Sequence, residues 1–110
     1  MKNIEIFDPC YEEKIRLLQL LSLVRDPELE LNIVDLGLIY GIEIDKINRV
    51  TEITMTLSTP ACPAGEYIRG SVAMMGKEAC PGYEIRINLT FEPEWSADKI
   101  SEDGRKELGW

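Results

Sequence analysis

The stretch Ser58-Thr59-Pro60-Ala61-Cys62-Pro63-Ala64-Gly65-Glu66 sets one cysteine between two prolines where a strand-like run gives way to a helix-like one. If Pro63 opens the helix, Cys62 falls at the N-cap or first turn, where unpaired backbone N–H groups and the helix dipole favour an anion. That setting lowers a thiol's pKa and makes the sulfur a better nucleophile and metal ligand. Thr59 lies three residues upstream and can offer its hydroxyl to the sulfur or to the loop backbone. The chain has no histidine, so neither a Cys–His nucleophile pair nor a shared imidazole ligand can form. The plainer alternative is that Cys62 fills a small apolar gap at the strand–helix junction, as buried cysteines commonly do.

A second group of candidate residues is acidic. The stretch Asp26 to Gly37, DPELELNIVDLG, reads as a loop of about a dozen residues, a length that is often functional inside a compact domain. Its Asp26, Glu28 and Asp35 could supply oxygen ligands. The competing roles are structural, with Asp26 as the turn residue before Pro27 and Asp35 as a local cap. Cys10, in the first turn of a helix, and Cys80, in a Cys-Pro-Gly helix terminus, read as structural. Trp95 reads as an apolar anchor for the tail, with a partner contact as the other option.

These residues must be positioned by the elements around them. Asp8-Pro9 predicts a helix start that runs to about Val24, with Ile15, Leu18, Leu21 and Leu17, Leu20, Val24 giving an apolar face. The segment Leu38 to Ile44 alternates as a strand with Leu38, Tyr40, Ile42 and Ile44 on one side. Val50 to Ser58 alternates as a second, with Ile53, Met55 and Leu57 inward, and the two form an antiparallel hairpin. A helix carrying Ile68, Val72, Met75 and Ala79 follows, although Gly70 and Gly76 each cost up to ~1 kcal/mol there relative to alanine. Tyr83 to Phe91 is the third strand, with Ile85, Ile87, Leu89 and Phe91 inward. Ser96 and Ser101 are placed to cap short C-terminal turns before Leu108-Gly109. The order helix, strand, strand, helix, strand predicts a single α+β domain over residues 1–110: a two-layer sandwich with a mixed three-stranded sheet, the last two strands parallel. Its other face is expected to be polar, lined by Thr54, Thr56, Asn88 and Thr90.

Bulk properties narrow the partners. The chain has 110 residues with a formal charge of −8, which repels phosphate backbones and anionic lipid, so nucleic acid and membrane surfaces are poor partners and a protein or metal fits better. No run approaches the ~18 apolar residues of a membrane span, and the start lacks a signal-peptide core, so a cytoplasmic location is expected. Three cysteines without paired spacing suit a reducing compartment.

Taken in order, DPELELNIVDLGLIYGIEI, VTEITMTLSTPACP, CPGYEIRINLTFEPEW and ISEDGRKELG resemble the SufT/PaaD-like iron–sulfur cluster assembly domain, over about residues 11–110. The same domain occurs in cytosolic iron–sulfur targeting proteins and at the front of Mrp-type ATPases. The ordered set with T-P-x-C-P and P-x-W carries the resemblance, and D-P-E alone is weak. The likeness implies a functional centre of Cys62 with Thr59, Pro63 and the acidic loop, and a role in maturing iron–sulfur proteins through assembly partners and apo-clients. PaaD-type proteins add a cysteine-rich segment and Mrp-type proteins a P-loop, neither of which is present here, so the stand-alone, SufT-like form is expected. Tyr83 stands where the family usually has valine.

A stable cluster usually takes four cysteine ligands, and three without a C-x-x-C pair cannot close a site. The expectation is therefore a transient, shared site for iron or a cluster, with Cys62 giving one thiolate and Asp26, Glu28, Asp35, a second subunit or a client giving the rest. The alternative is an adaptor that recruits clients without binding metal. Thiol peroxidase or reductase chemistry ranks third, because T-x-x-C at a helix start is also a peroxidatic arrangement. A homodimer through the open sheet stays open.

Overall fold

The computed structural model describes residues 8–110. Helix α1 spans Tyr11–Leu21 and follows a turn at Asp8-Pro9-Cys10. The helix starts two residues later than expected, so its N-cap position falls to Cys10, which makes no side-chain cap, and Asp8 instead orders the turn ahead of it. Its Oδ1 accepts from the Cys10 N–H at 2.7 Å and its Oδ2 pairs with the Lys14 ammonium at 2.7 Å. The helix ends three residues short of Val24, because Ser22, Leu23 and Val24 turn back on Leu18, Leu20 and Leu21 ahead of Pro27.

Two short strands, β1 (Arg25–Asp26) and β2 (Leu31–Asn32), then pair antiparallel. The expected loop is thus a small hairpin, closed by Pro27 to Glu30. The main sheet comprises β3 (Ile39–Asp45), β4 (Val50–Met55) and, after helix α2 (Gly65–Ala79), β5 (Glu84–Leu89). Its order is β3-β4-β5, with β4 antiparallel to β3 and parallel to β5, as the alternation and the crossover helix predict. Helix α2 packs against both β5 and α1, giving the helix layer over one sheet face.

The register fixes both faces. The rows Ile39–Met55–Leu89, Ile42–Ile53–Ile87 and Ile44–Thr51–Ile85 face the helices and build the core with Leu17, Leu21, Ile68 and Val72. The opposite rows are Gly41–Thr54–Asn88, Glu43–Glu52–Arg86 and Asp45–Val50–Glu84, a largely polar surface. Two expectations need correction. A bulge between Ile39 and Gly41 leaves Tyr40 as an extra residue, so Ile39 is buried and Tyr40 only half-buried. Thr56 lies past the end of β4 and is fully buried, its N–H bonded to the Leu38 carbonyl, so it does not belong to the polar face.

Glycines in α2 separate into two kinds. A Cβ on Gly76 would come within 2.8 Å of Ile85 Cγ2, so this glycine lets the helix seat on β5. Nothing lies within 4 Å of a Cβ placed on Gly70. Gly70→Ala should therefore raise stability by about 0.5–1 kcal/mol, whereas Gly76→Ala should lower it by about 1–2 kcal/mol through overpacking. Urea unfolding at sub-micromolar protein should show opposite shifts of the midpoint.

The tail is fastened to the Val34-Asp35-Leu36-Gly37 corner. A 3₁₀ turn at Ala97–Lys99 leads into α3 (Glu102–Leu108). Ser101 caps α3 as expected, its Oγ accepting from the Gly104 N–H at 3.0 Å, whereas Ser96 makes no side-chain cap. Asp35 Oδ1 accepts from Ser101 Oγ at 2.7 Å, and the Asp35 carbonyl accepts from the Ser101 N–H at 2.8 Å. Gly37, at φ +81°, has the Lys99 carbonyl 2.4 Å from where a Cβ would stand. Only glycine satisfies both the left-handed backbone and that approach.

Candidate functional site

The Cys62 loop leaves β4 and leads into α2, which begins at Gly65 with Ala64 as its N-cap. Pro63 is thus ahead of the helix, not its first residue, and Cys62 stands two residues before the cap. Backbone turns hold it there: the Cys62 N–H donates to the Thr59 carbonyl at 3.2 Å, and the Cys62 carbonyl accepts from the Gly65 N–H at 3.1 Å. Thr59 therefore meets the cysteine through its carbonyl. The sulfur turns toward the β1–β2 hairpin and donates to Glu28 Oε2 at 3.6 Å.

Asp26 shapes that hairpin. Its Oδ1 accepts from the N–H groups of Glu28 at 2.8 Å and Leu29 at 3.3 Å, the local geometry that makes aspartate a good residue before a turn. The side chain is fully buried, and its Oδ2 has no hydrogen-bond partner. A buried, unpartnered carboxylate oxygen is costly. The Asp26 carboxylate is near enough to Cys62 for its charge to act on the thiol.

Charge and burial act on Cys62 in the direction opposite to the sequence expectation. Burial raises the thiol's pKa most, the Ala64 N–H lowers it, and the negative charges of Asp26 and Glu28 raise it again. The bare amide of the helix start is present, but the half-buried site and two carboxylates outweigh it. The thiol is therefore protonated at neutral pH. Its alkylation by iodoacetamide should be slower than that of a free cysteine at pH 7.5 and still climb beyond pH 9. Removing a negative charge lowers a raised thiol pKa, so Glu28→Gln should move the profile to lower pH. A rate that levels off below pH 8 in the parent protein would contradict this arrangement.

The acidic loop divides by role. Asp26 and Glu28 act at Cys62, while Asp35 has both carboxylate oxygens engaged elsewhere, by Ser101 Oγ and by Asn32 Nδ2, the latter at 2.7 Å. Trp95, the partner-contact candidate, donates its indole N–H to the Leu36 carbonyl at 2.7 Å and packs on the core, so it anchors the tail. Cys10 and Cys80 are buried; the Cys10 thiol donates to the Ile44 carbonyl and burial pushes its pKa up, as a structural thiol requires. Sequence reasoning expected a bare helix-start amide at the thiol, which Ala64 supplies, but missed the sign of the acidic influence on it. The density of carboxylates in DPELE was the available signal for the latter.

Among the described residues, no group of three or more His, Cys, Asp or Glu side chains is arranged to hold a metal ion. The site can offer iron a thiolate from Cys62 and an exposed carboxylate from Glu28. That is an open pair, incomplete without outside ligands. No described helix is long and apolar enough to cross a membrane.

A mixed three-stranded sheet under two helices, with one cysteine at the strand–helix junction set against an acidic hairpin, makes a small α+β domain with an open thiol site. The chain belongs to the iron–sulfur cluster assembly protein family, whose model matches residues 14–89. It is 42% identical over 94 residues to an Fe-S protein maturation auxiliary factor of Porphyromonas gingivalis, covering 86% of this chain and 89% of that one. It is 33% identical to the Fe-S protein maturation auxiliary factor SufT of Staphylococcus aureus, covering 79% and 98% of the two chains. A crystal structure of a Bacillus anthracis domain of unknown function superposes with a TM-score of 0.80 at 33% identity, covering 89% of this chain and 92% of that one. The α+β fold and the family expected from the sequence both hold.

Proposed function

We propose that this protein matures iron–sulfur proteins by holding iron or a nascent cluster as cargo between Cys62 and a client or assembly partner. The observation that carries this is the Cys62 sulfur lying 3.6 Å from Glu28 Oε2, with buried Asp26 near enough for its charge to act on the thiol. A metal ion competes with the proton for the thiolate, so a raised thiol pKa favours an empty, protonated site until metal arrives. Two ligands from the chain leave positions for a client's own cysteines, and incomplete coordination favours release over storage. The names of the relatives, all maturation auxiliary factors, support the same role. The partners are assembly proteins and apo-clients inside the cytoplasm, and the role is that of an accessory factor without turnover of its own.

Anaerobic loading with ferrous iron tests it. The parent protein should bind iron with an affinity that strengthens as pH rises, since the thiol must lose its proton. Cys62→Ser should lose at least about tenfold in affinity, and Glu28→Gln should lose less. Equal iron content in Cys62→Ser and the parent would sink the cargo role.

A second reading, an adaptor that binds clients without metal, draws on the absence of a ready three-residue metal cluster among the described residues. It predicts client binding that survives Cys62→Ser. Peroxidatic chemistry is the least supported, because the sulfur's charged neighbours are carboxylates, which oppose the thiolate it would need.

A further inference from the structure

Helix α2 carries an apolar stripe on the wrong side for the core. Its buried residues, Gly65, Ile68, Val72, Gly76 and Ala79, form one face. At about 3.6 residues per turn, Tyr67, Gly70 and Met74 fall together on the opposite face. Tyr67 and Met74 are 59% and 63% exposed, and a side chain at Gly70 would meet only open space. A glycine there leaves room for a backbone from outside the chain to approach closely.

The stripe is self-complementary. Two copies of α2 packed antiparallel about a two-fold axis between Gly70 and Ser71 set Tyr67 of each against Met74 of the other, an aromatic–sulfur contact, with the glycines letting the backbones close at the centre. Residues on the same flank of antiparallel helices meet across such an axis. Glu66 and Lys77, both exposed and both on one flank of the stripe, then face each other as opposite charges, once on each side. The same register brings Glu78 of each copy to Pro63 of the other, beside Cys62.

We infer that the protein forms a two-fold homodimer through the outer face of α2, centred on Gly70. An interface of one helix from each copy lies at the small, transient end of the range, below about 1,200 Å² in all, so the dimer dissociates on dilution. The open sheet face, rich in Glu43, Asp45, Glu52 and Glu84, would repel its own copy and is the poorer dimer surface.

Sedimentation equilibrium over a wide concentration range tests this. The parent should pass from its 12.5 kDa chain mass toward twice that value as concentration rises. Gly70→Arg, at a position with open space around it, should stay folded by circular dichroism and weaken association by about tenfold or more. Glu66→Lys alone should weaken it, and Glu66→Lys with Lys77→Glu should restore it. Cys62→Ser should dimerise like the parent, so a failed iron test leaves this result untouched. A single-chain mass at every concentration would overturn the inference, as would unchanged association in Gly70→Arg. A monomeric parent that loses a client protein on Gly70→Arg would also overturn it, assigning the stripe to the client.

Discussion

Gly37→Val should lower stability by about 3 kcal/mol or more and reduce the melting temperature by roughly 10–20 °C. Two independent costs combine. The backbone at φ +81° disfavours any side chain, and a β-branched one most, while the Lys99 carbonyl already occupies the space a Cβ needs at 2.4 Å. The chain can relieve the clash only by lifting the Ala97–Lys99 turn away, and that takes Ser101 with it. Thermal unfolding followed by circular dichroism checks the midpoint. A drop under about 5 °C would mean that the tail is not seated on this corner.

Asp35→Ala should be nearly as damaging, by about 2–4 kcal/mol. It removes the acceptor for both Ser101 Oγ and Asn32 Nδ2, leaving two buried donors without partners and the α3 cap unsupported. Asp35→Asn keeps the shape and one acceptor oxygen, so it should cost less, about 1–2 kcal/mol. Urea midpoints separate the two variants. Iron binding by Asp35→Asn should match the parent, because its carboxylate holds the tail and does not serve the sulfur.

Much of the fold was legible because strong periodicity leaves little choice. Ile53, Met55 and Leu57 alternate, as do Ile85, Ile87 and Leu89, and a helix between two such runs forces them parallel in one sheet. The exceptions were local. Strands of two residues, such as Arg25–Asp26 and Leu31–Asn32, are too short to show a period, so the acidic segment looked like a loop. The bulge at Tyr40 adds one residue to an otherwise regular alternation and moves Ile39 to the core. Neither leaves a mark in residue type.

The candidate site was legible in part for the same reason. Thr-Pro-Ala-Cys-Pro at a strand–helix boundary marks the cysteine, and Asp-Pro-Glu marks the turn that meets it. Which acidic residue reaches the sulfur depends on contacts 34 residues apart, Glu28 to Cys62, and these follow from the tertiary pairing alone. Asp35 looked equivalent to Asp26 in the sequence. Its partner Ser101 lies 66 residues away and draws it to the tail.

The seating of α3 has a consequence for the sulfur itself. Gly104 lets α3 come so close to β2 that a Cβ there would strike Leu31 Cδ2 at 2.9 Å. β2 is paired to β1, whose Asp26 orders the bend that carries Glu28. The carboxyl-terminal helix thus braces the acidic bend from behind, and loosening that brace would blur the electrostatic cage around the thiol without touching a single residue of it.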